Sequence, residues 1–231
     1  MKETAIAYLM KNPLLHMDMI EPIHRSTAVI LYAGCDGVLL KEQKSRAFMI
    51  SAASFDKGKE LADMLPSCNL AVAHQRVMAD YIMEKFALTE KMDCVQAVYT
   101  GESKLVVDRE LEIRKLELAQ RNVVIENYDT LSAAEITHLL AIGNVYGGYK
   151  NGNLIGFVGE HLEGSIGLLE VFPKYRRLGY GTALESFMVN NMLAKGFVPF
   201  GQVEASNVKS ITLQKKLGFA ISKEHLYWLF S

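Results

Sequence analysis

The chain has 231 residues, half of them hydrophobic and 22% charged, with a formal net charge of −1 at pH 7. That length suits one large or two small domains able to bury a core without disulfides. The balanced charge lacks the basic footprint of a nucleic-acid or membrane-surface binder. No apolar run approaches the ~20 residues that span a bilayer. The opening MKETAIAYLMKNPLLHMDM is broken by Lys11, Asn12 and Pro13, unlike a signal peptide. Cys35, Cys68 and Cys94 are widely spaced and odd in number, as reduced thiols are. Cysteine–histidine metal spacing is missing. The expectations are a cytoplasmic protein with no metal, no nucleic-acid partner and no membrane partner.

Thr27–Ala33 and Val38–Leu40 read as strands flanking Gly34-Cys35-Asp36-Gly37, where Asp-Gly signals a hairpin turn. Ala47–Ala52 is a further strand. Phe55, Leu61, Met64 and Leu65 lie at helical spacing before Pro66 stops the run. Leu70–Ala73 and Cys94–Tyr99 read as strands, with a helix from about Val77 to Phe86 between them. Strands alternating with helices predict an α/β arrangement. The polar stretch Thr100 to Lys104 is the best boundary, giving a smaller α/β domain over 1–104 and a second domain over 105–231.

In the second series, Leu111–Leu118 alternates apolar and charged residues as a half-buried strand does. Ser132 to Ile142 is a helix whose Ser132 and Glu135 form a capping-box pattern. Val145–Tyr149, Leu154–Gly159 and Ile166–Phe172 are strands joined by Asn/Gly turns, which implies an antiparallel meander and hence a mixed α+β sheet. A helix from about Gly181 to Lys195 buries Leu184, Phe187, Met188 and Met192 and stops at Gly196. Val198–Val203 is a strand, Val208–Leu217 a helix closed by Gly218, and His225–Phe230 a final strand.

The run VFPKYRRLGYG, Val171 to Gly181, lies between a strand and a helix. A helix start presents unpaired N–H groups and the positive end of the dipole. Gly179 and Gly181 let a bulky anion approach those donors, with Lys174, Arg176 and Arg177 available for further negative charge. The chemistry suits a pyrophosphate. A dinucleotide fingerprint needs a third glycine where Leu184 stands, and a Walker loop needs Gly-Lys-Ser/Thr. A solvated basic turn that only caps a helix is the plainer alternative.

The arrangement Val171…Arg176-x-x-Gly179-x-Gly181 resembles the acyl-CoA signature of the GNAT N-acetyltransferase superfamily. Asn207-x-x-Ser210-x-x-Leu213-x-x-x-Leu217-Gly218-Phe219 resembles its later cofactor motif. The resemblance covers roughly Leu111 to Ser231. Gly196 to Val203, GFVPFGQV, is similar to the glycine N-acyltransferase-like branch, whose members carry an N-terminal partner domain.

The resemblance implies acetyl-CoA as co-substrate, a small-molecule or peptide amine as acceptor, and direct attack without an acyl-enzyme. It implies that Leu169, Glu170 and Val171 pair with the pantetheine arm, while Arg177, Leu178, Gly179, Tyr180, Gly181 and Thr182 hold the pyrophosphate. It also implies that Asn207 contacts the cofactor, although an N-cap role is equally open for it. A backbone N–H near Leu169–Val171 would stabilise the oxyanion. Where many relatives have a glutamate and a tyrosine, this chain has Gln202 and Gln214, which cannot exchange protons at pH 7. Glu204 shares strand parity with Gln202 and is the substitute base, with a solvated surface carboxylate as the alternative. Glu160 and His161 are weaker candidates. An acyl-CoA-sensing module without catalysis is the competing function, and a homodimer is left open.

Overall fold

The computed structural model describes residues 1–107 and 111–231. Two helices that the sequence reading did not mark open the chain, α1 (Lys2–Leu9) and α2 (Met17–His24). Then follow β1 (Ala28–Gly34), β2 (Gly37–Glu42), β3 (Phe48–Ala52), α3 (Phe55–Asp63), β4 (Leu70–Ala73), α4 (Arg76–Phe86) and β5 (Glu90–Tyr99). The second series is β6 (Glu112–Lys115), α5 (Arg121–Asn127), α6 (Ala133–Ala141), β7 (Val145–Lys150), β8 (Asn153–Glu160), β9 (Ile166–Val171) and α7 (Tyr180–Ala194). β10 (Phe200–Glu204), α8 (Val208–Lys216) and β11 (Phe219–Phe230) close the chain. The Leu111–Leu118 strand is thus confined to β6 and gives way to a 3-10 turn, while the final strand starts six residues before His225.

The chain divides into two compact units. One comprises Met1–Val98, Gln202–Lys215 and Phe219–Ser231; the other comprises Tyr99–Gly201 and Lys216–Gly218.

The first unit is built on a mixed sheet with strand order β1-β2-β3-β4-β11-β5-β10. The Gly34–Gly37 turn closes the β1–β2 hairpin, with Gly34 opposite Gly37. β3 and β4 run parallel, and β4 pairs antiparallel with β11. Side chains alternate across the sheet with the strand period of two. Leu39, Ile50, Ala71, Ala73, Tyr227 and Leu229 pack on one face with Leu61 of α3 and Met78 and Ile82 of α4. Val38, Leu40, Met49, Val72, Cys94 and Leu226 pack on the other with Leu9 of α1 and Met19, Ile20 and Ile23 of α2. Burying such side chains contributes about 1.5–3 kcal/mol each. Ser54 caps α3 by accepting the Lys57 N–H.

The second unit holds the antiparallel sheet β6-β7-β8-β9. On one face Val124 of α5 and Ile136, Leu139 and Leu140 of α6 pack against Val145, Phe157 and Leu168. The Ser132–Glu135 capping box starts α6 as the sequence predicts. Helix α7 buries Ala183, Leu184, Met188, Val189 and Met192. Its Asn190 side chain donates to the Leu105 carbonyl and accepts the Leu105 N–H, both at 2.8 Å, tying down the start of this unit. Among the described residues no helix is long and apolar enough to cross a membrane.

Candidate functional site

β9 is an edge strand. Phe172 N–H donates to Ile155 O at 3.0 Å, so by antiparallel alternation the main-chain groups of Leu169 and Val171 face away from β8. Near the start of β9 the chain returns closely, because a Cβ on Gly201 would lie 3.0 Å from Ile166 O. The pairing with β8 shifts register between Phe157 and Gly159, and Leu168 has φ 51°. This is a β-bulge, which leaves one residue unpaired and bends the strand. A leucine at positive φ is strained and persists only where its surroundings fix it. Gly156 is part of that fixing, since a Cβ there would sit 2.3 Å from Glu170 O. Tyr128, just after α5, is another part. The Leu168 main chain and the Thr130 side chain hydrogen-bond its hydroxyl, and burial above all raises the pKa of its phenol. Its ring meets Phe157 edge-on at 6.5 Å.

After β9, Pro173–Tyr175 forms one 3-10 turn. Arg177 (φ 63°) and Gly179 (φ 88°) are both left-handed. Gly179 is the N-cap of α7 and supplies no side-chain cap, and the space around it is open. The first-turn N–H groups at Tyr180, Gly181 and Thr182 therefore have no intrahelical acceptor and face an open cradle. Alternating backbone hands of this kind form concavities that bind anions. Lys174 and Arg177 are exposed beside it. Arg176, also exposed, is instead engaged within the chain. Its Nε donates to Val171 O and its guanidinium reaches Glu170 Oε1, both at 2.8 Å. With Arg176 paired to Glu170, Lys174 and Arg177 are the two of the three cations the sequence offered that lie ready for an added anion. The residues present fit a pyrophosphate.

The structure brings together Leu169, Glu170, Val171 and Arg177 through Thr182, all in the second unit. Asn207, Gln202, Glu204 and Gln214 lie in the first. Asn207 acts as an N-cap, with its Oδ1 accepting the Ser210 N–H at 3.0 Å. Glu204 is exposed, whereas Gln214 is buried. Glu160 reaches Lys195 at 3.3 Å, and His161 packs over Gly167. Burial pushes the Cys94 thiol up to about 12, with Glu204 adding to the shift, and burial also raises Cys68. No group of three or more His, Cys, Asp or Glu gathers to hold a metal among the described residues. The Leu168 bulge and Tyr128 escaped the sequence reading, because neither has a local signature.

Residues 144–229 match the FR47-like protein family. No curated protein matches the chain. A Drosophila protein is similar at TM-score 0.66 and 18% identity, covering 84% of this chain and 74% of its own. A GNAT-family protein from Novosphingobium aromaticivorans is similar at TM-score 0.57 and 15% identity, covering 100% and 99%. An N-acetyltransferase-like protein from Streptococcus suis gives TM-score 0.56 and 12% identity over 99% and 100%. These likenesses do not reach the glycine N-acyltransferase-like branch. The chain has the mixed α/β fold seen in GNAT N-acetyltransferases, and its residues 144–229 are similar to the FR47-like family.

Proposed function

We propose that this protein transfers an acyl group, most simply acetyl, from CoA to a primary amine of a small molecule or peptide. The observation that carries this reading is the start of α7, an uncapped helix terminus behind two left-handed residues and next to the edge of β9. The main chain from Arg177 through Thr182 would hold the pyrophosphate, with Lys174 and Arg177 meeting the remaining negative charge. Leu169, Glu170 and Val171 would pair with the pantetheine arm as an added strand does. Asn207 would contact the cofactor while capping α8. Acyl-CoA would supply an already activated thioester.

The amine attacks that carbonyl directly, since no cysteine lies near the two motifs in sequence. A preorganised N–H on the open edge, at Leu169 or Val171, stabilises the charge that develops on oxygen. Gln202 and Gln214 cannot take a proton, so Glu204 is the carboxylate assigned that task. Magnitudes keep the reading viable. A general base contributes about 10²- to 10⁴-fold, whereas positioning supplies about 7–11 kcal/mol.

The two glutamines favour one rival, an acyl-CoA-sensing module without chemistry. Incubation with acetyl-CoA and a panel of amines, followed by assay of free thiol, separates the two. Amine-dependent thiol release supports transfer, and its loss in Glu204→Gln supports the assigned base. Thermal stabilisation by acetyl-CoA with no release on any amine supports the sensor.

A further inference from the structure

The open edge of β9 is already engaged at one point. Leu169 and Val171 turn their main-chain groups away from β8. Arg176 Nε donates to Val171 O at 2.8 Å, and its Nη2 donates to Glu170 Oε1 at 2.8 Å. The 3-10 turn at Pro173–Tyr175 folds the chain back, so a residue five positions on reaches the end of the strand it has just left.

An added strand needs that carbonyl. Extended chains join a sheet edge by giving N–H groups to its outward carbonyls and accepting its outward N–H groups. Arg176 fills the outward carbonyl nearer the start of α7, so its guanidinium N–H stands where an amide N–H of the added strand would. Glu170 holds it there, because a rigid guanidinium fork meets both acceptors at once. The pair is also weak. The Arg176 side chain is 56% exposed and that of Glu170 23%, and ion pairs so open to water exchange readily for a stronger partner.

A pyrophosphate is that stronger partner. Arg176 directly precedes Arg177 and stands three residues before Gly179, the N-cap of α7. A pyrophosphate in the cradle carries more negative charge than the single Glu170 carboxylate and offers the guanidinium oxygens for a bidentate contact. The pantetheine arm is neutral and offers it nothing comparable. A ligand that brings both parts draws Arg176 off the edge, whereas the arm alone must displace it unaided.

We infer that Glu170 and Arg176 form a latch on the β9 edge that makes the site select acyl-CoA over acyl groups carried on the pantetheine arm alone. This rests on the CoA site proposed above and deepens it by naming the class of donor. Arg176 keeps Val171 O until a pyrophosphate takes the guanidinium, so arm and pyrophosphate bind as one unit. The same movement brings a third cation to the cradle beside Lys174 and Arg177.

The test is calorimetric titration with acetyl-CoA and with acetyl-pantetheine, which keeps the arm and thioester but lacks the nucleotide. On Arg176→Ala, acetyl-pantetheine should bind about two- to fivefold tighter, since an exposed ion pair no longer holds the edge. Acetyl-CoA should bind the same variant about tenfold weaker, since a charge-assisted phosphate contact is gone. Opposite signs are the signature, because a merely structural role for Arg176 moves both ligands together. Glu170→Gln should tighten both ligands, and Arg176→Lys should recover part of the acetyl-CoA affinity while acetyl-pantetheine stays tight. Acetyl-pantetheine binding that is unchanged, weaker or undetectable on Arg176→Ala overturns the latch, as does an unaltered acetyl-CoA affinity. Acetyl-CoA binding to the natural sequence without these shifts sinks this inference alone. No acetyl-CoA binding to it sinks the CoA reading, and this inference with it.

Discussion

The polar groups around His74 and the Gln96 side chain are both buried on the α1–α2 face of the seven-stranded sheet, but among the described residues the Gln96 side chain has no partner. His74 donates from Nδ1 to Ile50 O at 3.0 Å and from Nε2 to Asp18 Oδ1 at 2.9 Å. Using both nitrogens as donors requires the imidazolium. Burial works against that charge, but Asp18 outweighs it and holds His74 above its ordinary pKa. His16 beside it bonds Leu9 O at 3.1 Å and Ser51 Oγ at 2.8 Å. Burial first, and His74 second, push His16 down to about 4, so it stays neutral. This network is closed and holds α2 onto β3 and the end of β4. The closed network ties helix to sheet, and the Gln96 side chain makes no such tie among the described residues.

The largest effect should come from breaking the closed set. Asp18→Ala leaves a buried imidazolium without its counter-charge and should cost about 3–5 kcal/mol in urea unfolding. Gln96→Leu removes atoms that have no partner and should leave stability within about 1 kcal/mol. Similar losses in both variants would erase the contrast.

The pH dependence comes next. His16 has a folded pKa near 4 and an ordinary value near 6.5, so between these limits only the unfolded chain binds the proton. Stability should fall as pH drops from 6.5 toward 4, by about 3 kcal/mol. His74 runs the other way, because its raised pKa adds stability that is present below 6.5 and lost as pH climbs through the folded value. His16→Asn should flatten the acid limb of the curve, and an unchanged limb would show that another group dominates it.

Smaller effects belong to the second unit. Gly156→Ala should cost about 1–3 kcal/mol, because the new Cβ meets Glu170 O at a bulge that cannot shift freely. Gly179→Ala has open space but a left-handed backbone, so about 1 kcal/mol is expected. Equal costs for the two, read from thermal midpoints, would argue against a tightly fixed bulge.

Much of this architecture is legible in the sequence wherever one local rule governs. The Gly34–Gly37 turn, the Ser132–Glu135 box and the meander each follow from turn chemistry, capping or alternation. Helices α1 and α2 do not. Met1 and His16 give no capping side chain, Pro22 stands inside α2 where a helix stop is expected, and Asp18 and Glu21 face the interior where periodicity expects apolar residues. Of the candidate site, the glycine and arginine spacing reveals the start of α7. The bulge stays hidden because leucine seldom adopts positive φ.

Calorimetric titration with acetyl-CoA tests the central claim most directly, on the natural sequence and on Gly179→Val. Saturable binding of one equivalent per chain, weakened at least about tenfold (about 1.4 kcal/mol) by the valine, is the predicted result. The absence of binding heat, together with an unchanged thermal midpoint at saturating acetyl-CoA, would contradict it.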